Sequence, residues 1–276
     1  MLTPRRPLPS WMALAGLAVV GMVLSAAPEL WAAEPLAQTP SVPASPNPLT
    51  VEEQTAGWRL LFDGRTTKGW RVFRADTSRR GPWAVEDGCL KRPAAGIGDA
   101  QGGSDLVTED TFSDFDLRWE WRVGRGGNSG VKYFVTEERS RPIAHEYQML
   151  DDVAYPDEAK GTQQTAAFYD VLPPSPDKHL RPTGEWNQSR ILVRGDHVEH
   201  WLNGQKVLEY ELGSPQVLAG IARSKFKDVP GFGTKIKGHI LLQDHEGGGV
   251  CFRNIKILSP PRQERRNERR RPPEVR

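Results

Sequence analysis

The chain has 276 residues, 37% of them hydrophobic and 26% charged, which suits a packed core and argues against global disorder. Its net charge of +2 averages unlike regions: residues 259–276 carry +4 and residues 1–27 carry +2, which leaves −4 for the stretch between. A mildly acidic central block lacks the basic face that would neutralise phosphates, so nucleic acid is excluded as a partner.

Arg5 and Arg6 precede the apolar run WMALAGLAVVGMVLSAA, which ends in small residues, the pattern of an export signal. Pro28 makes a cut directly after Ala27 awkward, so the signal is taken to residues 1–33, with cleavage near Ala32 or Ala33. An uncleaved single-span anchor is the alternative, since the run lies near the lower length for crossing a hydrocarbon core of ~30 Å. No other apolar segment is that long, so membrane contact is expected through this segment alone, and the mature chain is expected in the periplasm or outside the cell. Residues 34–56 begin EPLAQTPSVPASPNPLT and read as a proline-rich linker. Cys89 and Cys251 both fall in expected strands. Export would place them where disulfides persist, and a bridge and two buried free thiols both stay open. The absence of a CxxC spacing excludes a zinc site built on cysteine.

From Gly57 to Leu258 the dominant period is two, as strands require. FDLRWEWRV alternates Phe115, Leu117, Trp119, Trp121 and Val123 with charged or polar partners. RILVRGDHVEHWLNGQKVLEYEL reads as two runs flanking Asn203-Gly204, a strong hairpin signal. GVKYFVT, HEYQMLD, AAFYDV, GHILLQD and VCFRNIKIL are further expected strands. One helix interrupts them: Ser214 is its N-cap, Pro215 opens its first turn, and Val217, Leu218, Ile221 and Ala222 form its apolar face. Whether this helix and the KDVPGFG loop cover a site is open. Residues 259–276, rich in arginine and proline, are an expected disordered tail, with contact to anionic surfaces a weaker reading. The expected fold is all-β, an antiparallel β-sandwich with one or two short helices.

No G-x-S-x-G, H-E-x-x-H or phosphate-cradling glycine loop is present. His197 and His200 lie three apart on a strand and face opposite ways, which argues against a chelating pair. Three polar stretches stand out instead. In GRGGNSGVKYF a glycine-rich turn exposes Asn128 and Ser129, and Lys132 follows on a strand. An amide and an ammonium there would grip a sugar hydroxyl or polarise a carbonyl, although a plain hairpin fits equally. In HEYQMLDD the period puts Glu146, Gln148 and Leu150 on one face, and Tyr147, Met149 and Asp151 on the other. An inward carboxylate would serve as acid or base, and an edge strand wet on its polar face is the bland alternative. In LLQDHEGGG, Gln243 and His245 share a face opposite Asp244. Histidine suits proton transfer near neutral pH, and a solvated turn is the alternative. Loops at one end of a sandwich can converge on a single site.

These stretches fall in a longer ordered series. LFDGRTTKGW, WAVEDGCL, SDLVTEDTFSDFDLRWEWRV, GGNSGVKYF, HEYQMLDD, GEWNQSRILVRGDHVEHWLNGQKV and GHILLQDHEGGGVCFRNIKI follow one another from about Trp58 to Leu258. Each is weak alone; the order is specific, and in it the chain resembles the 3-keto-disaccharide hydrolase domain family. The resemblance implies a concanavalin-like jelly roll acting on glycosides already oxidised to a ketone at C3. It also implies a glucoside 3-dehydrogenase as functional partner. A C3 ketone acidifies the C2 proton; its removal gives an enolate that expels the C1 substituent, and water then adds back. The resemblance thus implies Glu146 and His245 as base and acid, in an order left open, with Lys132 and Asn128 at the enolate oxygen. Gln148, Asp151, Tyr169 and Gln243 would orient the sugar. Trp186 would be a stacking platform or a core residue. A divalent metal ion held by His245 with Glu146 or Asp244 could replace Lys132 as electrophile. The family usually reads Gln-Asp-His-Gly, whereas Glu246 and three glycines follow the histidine here. A non-catalytic carbohydrate-binding module on the same fold is the alternative function.

Overall fold

The computed structural model describes residues 47–75, 82–93, 104–245 and 247–260. The expected signal, the linker up to residue 46, the tail beyond Pro260 and Glu246 lie outside the described residues. In chain order the elements are α1 (Val51–Thr55), β1 (Arg59–Leu60), β2 (Trp70–Val72), β3 (Ala84–Glu86), β4 (Cys89–Arg92), β5 (Leu106–Thr108), β6 (Phe115–Val123) and β7 (Asn128–Val135). There follow β8 (His145–Leu150), β9 (Asn187–Arg194), β10 (His197–Leu202), β11 (Gln205–Glu211), α2 (Pro215–Arg223), β12 (His239–Leu242) and β13 (Val250–Leu258).

The strands form two antiparallel sheets. The larger, of eight strands, runs β11-β10-β9-β6-β13-β4-β3 with β1 beside β13; the smaller, of five, runs β2-β5-β12-β7-β8. Their facing sides supply one core, in which Trp119 of β6 meets the ring of Tyr147 of β8 edge-on at 5.1 Å. Some of the polar groups inside that core are satisfied as a chain. His200 Nδ1 donates to Ala166 O at 3.0 Å, so its Nε2 accepts from Tyr133 at 3.1 Å, and Tyr133 in turn bonds Tyr210. Cys89 and Cys251, on neighbouring strands, are joined by a disulfide, which settles the alternatives left open above.

Several local expectations need correction. The stretch read as two strand runs around Asn203-Gly204 is three strands, because Gly195 at φ 60° turns the chain once more between β9 and β10. Asn203 and Gly204, at φ 49° and 84°, make the second turn as expected. AAFYDV is no strand: Ala166 and Asp170 take positive φ, and Phe168 makes only isolated bridges, to Tyr147 and Leu172. In α2, capped by the Ser214 side chain, Val217, Gly220 and Ile221 face the core, while Leu218 is 54% exposed, since 3.6-residue spacing rotates it off the buried stripe. Residues 47–56 belong to the folded block rather than to a linker. Thr50 and Glu53 form a capping box on α1, and buried Asn47 accepts from Asn254 N at 2.5 Å.

Candidate active site

The outward face of the smaller sheet carries the sequence's polar stretches. Alternation sends Ser129, Val131 and Tyr133 of β7, and His145, Tyr147 and Met149 of β8, into the core. It sends Asn128, Lys132, Glu146 and Gln148 outward, and the antiparallel register sets Lys132 directly against Glu146. Together with Gln243 they floor a cleft of about 420 Å³, within the range of small-molecule sites. His245 and Tyr169 stand at its edge, and the segment after α2 closes one side with Lys225, Phe226 and Val229.

Lys132 Nζ lies 3.5 Å from Glu146 Oε2 and donates to Pro142 O at 3.3 Å, with both side chains largely shielded from water. Gln148 bridges the floor. Its amide nitrogen reaches Asn128 Oδ1 at 3.3 Å or, turned over, donates to Glu146 Oε1 at 3.2 Å and Ser129 O at 3.3 Å. Gln243 Oε1 is buried and has no partner among the described residues, an acceptor left over for a ligand donor. Gly130 lies opposite Gln148, and a Cβ there would run into the Glu146 carboxylate, so glycine makes the space that this carboxylate occupies.

The turn that carries His245 is braced from behind. Asp244 is buried, its Oδ1 accepting from Arg92 Nε at 2.5 Å. Its backbone N–H donates to Asp105 Oδ1 at 2.7 Å, and burial pushes the Asp105 carboxyl up to about 6. Ser129 Oγ donates to Gln243 O at 2.8 Å, which ties the same turn to β7. Gly247 and Gly248 follow, packed so closely on the backbone of Gly126 and Arg125 that a Cβ at either would clash. Gly247 and Gly248 are thus what seats this loop on the Gly124–Gly127 turn.

The structure brings Asn128, Lys132, Glu146, Gln148, Tyr169, Gln243 and His245 to one cleft. Asp151 and Trp186 are not part of it. Asp151 caps a loop, accepting from Gly126 N at 2.8 Å and Thr183 Oγ1 at 2.8 Å, because β8 ends at Leu150 and the chain turns away from the cleft. Trp186 stands half-buried on the larger sheet's outer side between the guanidiniums of Arg122 and Arg253, at 4.8 and 3.8 Å from its ring. Of the residues expected to hold a metal ion, Asp244 is turned to Arg92, whereas Glu146 and His245 line the same cleft. Among the described residues the one trio within ligand reach is His197, Glu199 and Glu209, on the larger sheet. Arg92, Asp105, Gly130, Arg141 and Lys225 were not singled out in the sequence. For Asp105 a signal existed: an acid opening the buried strand LVT in a stretch already noticed.

A sandwich whose smaller sheet carries an acid, a lysine and a histidine in a walled cleft has the layout of a carbohydrate-active β-sandwich. Residues 57–258 match the 3-keto-alpha-glucoside-1,2-lyase-like domain, and the chain belongs to that family. It is 38% identical to a 3-keto-disaccharide hydrolase of Bacteroides thetaiotaomicron, over 73% of this chain and 78% of that protein. Among solved structures it resembles a candidate glycosyl hydrolase from Parabacteroides distasonis, with 33% identity and a TM-score of 0.69 over 78% of this chain and 99% of that one. A second such protein from the same organism gives 25% identity and a TM-score of 0.56, over 74% of this chain and 99% of that one.

Proposed function

We propose that this protein is a carbohydrate hydrolase that cleaves 3-keto-glycosides in the cleft above β7 and β8. The observation that carries the reading is the Glu146–Lys132 pair, 3.5 Å apart on a sheet floor shielded from water, with His245 at the edge. Glu146 takes the proton from C2, and the C–H electron pair becomes the enolate whose charge gathers on the C3 oxygen. Lys132, with the Asn128 amide, faces that oxygen, the kind of fixed donor that supplies the largest share of such stabilisation. The enolate then re-forms the C3 carbonyl, a C1–C2 double bond forms, and the C1–oxygen bond breaks. His245 gives the departing oxygen its proton. Water adds back, hydroxyl to C1 and hydrogen to C2, so the net change is hydrolysis. A reaction that oxidises the C3 hydroxyl of a glycoside, as a glucoside 3-dehydrogenase does, must supply the substrate.

Mass spectrometry of 3-keto-trehalose and 3-keto-lactose, incubated with the full chain with and without chelator, tests this. Release of 3-keto-glucose or its dehydrated enone is expected, lost in Glu146→Gln and strongly reduced in His245→Ala. No product from the wild type under any of these conditions would sink the enzyme reading and favour a carbohydrate-binding module. The same reading places the mature chain outside the cytoplasm. The Arg5-Arg6 apolar run and the paired Cys89 and Cys251 support this. Fractionation with N-terminal sequencing of the product checks it.

A further inference from the structure

The cleft holds more positive charge than the proposed reaction uses. Lys132, Arg141 and Lys225 line it against the single carboxylate of Glu146, three cations to one anion. Asp244 is matched by Arg92, and Asp105 lies behind the floor. Lys132 is engaged with Glu146 and Pro142. Arg141 and Lys225, by contrast, have no carboxylate within ion-pair distance among the described residues. Some basic side chains elsewhere are matched, Arg190 by Asp116, Arg253 by Glu120, Lys235 by Asp114 and Lys256 by Glu53, whereas these two stand unmatched beside a cleft.

Lys225 is also held still despite its exposure. Its backbone N–H donates to Asp170 Oδ2 at 2.8 Å. Its ammonium donates to Tyr169 Oη at 3.3 Å and lies 4.4 and 5.3 Å from the ring centres of Tyr169 and Phe226. Arg141 stands on the connection between β7 and β8. Arg139 braces that connection by donating to Ile143 O at 2.8 Å and to Pro230 O at 2.9 Å, in the segment after α2. The enolate forms near the floor, within reach of Lys132. On the proposed chemistry, a leaving group directed away from that floor would meet the two further cations at the rim.

Resting on the function proposed above, we infer that the cleft takes 3-keto-glycosides whose leaving group carries an oxyanion such as a carboxylate, gripped by Arg141 and Lys225. A guanidinium fork and an ammonium are the usual partners of such a group, and their charge would also steer it inward.

Calorimetry on the full chain with unoxidised glucosides tests the inference without needing turnover. The glucosides of 4-hydroxybenzoate and 4-hydroxybenzamide are matched in size and differ in charge. The benzoate is expected to bind roughly tenfold more tightly, the scale of one charge-assisted hydrogen bond. That preference should shrink as salt rises and disappear in the Arg141→Gln, Lys225→Gln double variant, both sites being exposed and tolerant of change. The glucoside of 4-hydroxybenzenesulfonate, bound as tightly, extends the class to oxyanions generally; weaker binding confines it to carboxylates. Equal affinity for benzoate and benzamide, or a preference that survives the double variant, overturns the inference. Turnover of the 3-keto forms is read separately. Turnover without charge preference sinks this inference alone, whereas preference without turnover sinks the hydrolase reading and leaves an anionic-glycoside binder.

Discussion

The outer faces of the two sheets both carry charged side chains, and they differ in what those charges are doing. On the larger sheet a hollow of about 550 Å³ is lined by Arg118, Glu120, Arg190, Trp201 and Lys256. Asp116 accepts from Arg118 at 3.1 Å and from Arg190 at 2.7 Å, Arg253 donates to Glu120 at 2.7 Å, and Lys256 meets Glu53. Its tryptophans are covered too, with Arg118 over Trp58 at 4.3 Å and Arg190 over Trp201 at 5.2 Å. The cleft on the smaller sheet is the smaller space, about 420 Å³, yet among the described residues it keeps an unpartnered buried acceptor on Gln243 and two cations without carboxylates. Volume therefore ranks these faces wrongly. Unmatched charge is what distinguishes the cleft, since the hollow too is lined by a residue with an unpartnered buried group, Trp119 Nε1, among the described residues.

The sharpest way to break the comparison is to neutralise one glutamate on each face. Glu146→Gln should lower kcat by roughly 10²–10⁴, the usual share of a general acid or base, with Tm nearly unchanged. Glu120→Gln on the larger sheet should leave kcat alone. Equal effects on turnover would mean that the cleft is not the site. The next largest effect is on stability and lies behind the cleft. Arg92→Met leaves Asp244 buried without its partner, which is expected to cost about 3–5 kcal/mol and to lower Tm by roughly 10 °C in calorimetry. Adding Asp244→Leu should restore much of the loss, because the unpaired charge, not the missing contact, carries the penalty. A double variant as unstable as the single would refute that account.

The sequence announced the sandwich because alternation and Asn-Gly turns are local signals: β6 and β11 read directly from period two. It also announced the face on which Glu146 and Gln148 lie, since that face follows from strand parity alone. Asp151 and Trp186 were misread for a different reason. Parity says which side a residue takes but not where a strand stops, and β8 stops one residue before Asp151. Trp186, next to the first residue of β9, belongs to the other sheet, a fact of long-range pairing. Lys225 was invisible because its place depends on how the segment after α2 docks on Tyr169, fifty-odd residues away in sequence.

Gly130 offers a finer probe of the same contrast. Gly130→Ala should push the Glu146 carboxylate aside and lower kcat about 10²-fold, as a misplacement near 1 Å does, while KM changes less. Circular dichroism should show an intact fold. Unchanged kcat would mean that Glu146 does not need the position it occupies.

Between the two faces the core adds a pH dependence. Burial holds His200 at about 4 and His145 at about 3, whereas unfolded histidines protonate near 6.5. Between those values the unfolded chain binds more protons, so stability is full above pH 6.5 and falls as pH drops toward 4. Asp105 runs the other way, since its raised folded value of about 6 keeps a proton that the unfolded chain releases, offsetting one histidine from pH 6 to 4. The net expectation for these three groups is a slope of about one proton, roughly 1.4 kcal/mol per pH unit. Urea unfolding at pH 5 and 7 reads it, and His200→Gln should flatten it; an unaltered slope would exclude His200 as a source.

The smallest effect belongs to the larger sheet's outer face. Arg253→Gln removes an ion pair with Glu120 at 2.7 Å and a cation–π contact 3.8 Å from Trp186. Both sit in partial contact with water, where a pair is worth about 0–1 kcal/mol and a stacked cation about 0.5–1 kcal/mol. The variant should lose on the order of 1 kcal/mol, with the proposed turnover of 3-keto-disaccharides unchanged. A fall in turnover would instead couple this face to the cleft through β13, which pairs with β6 on one side and β4 on the other and brings Arg92 into line with Val250. Arg92 holds Asp244, and Asp244 precedes His245, so a shift of β13 would reach the cleft by that route. The size of the turnover change in Arg253→Gln therefore measures how independent the two faces are.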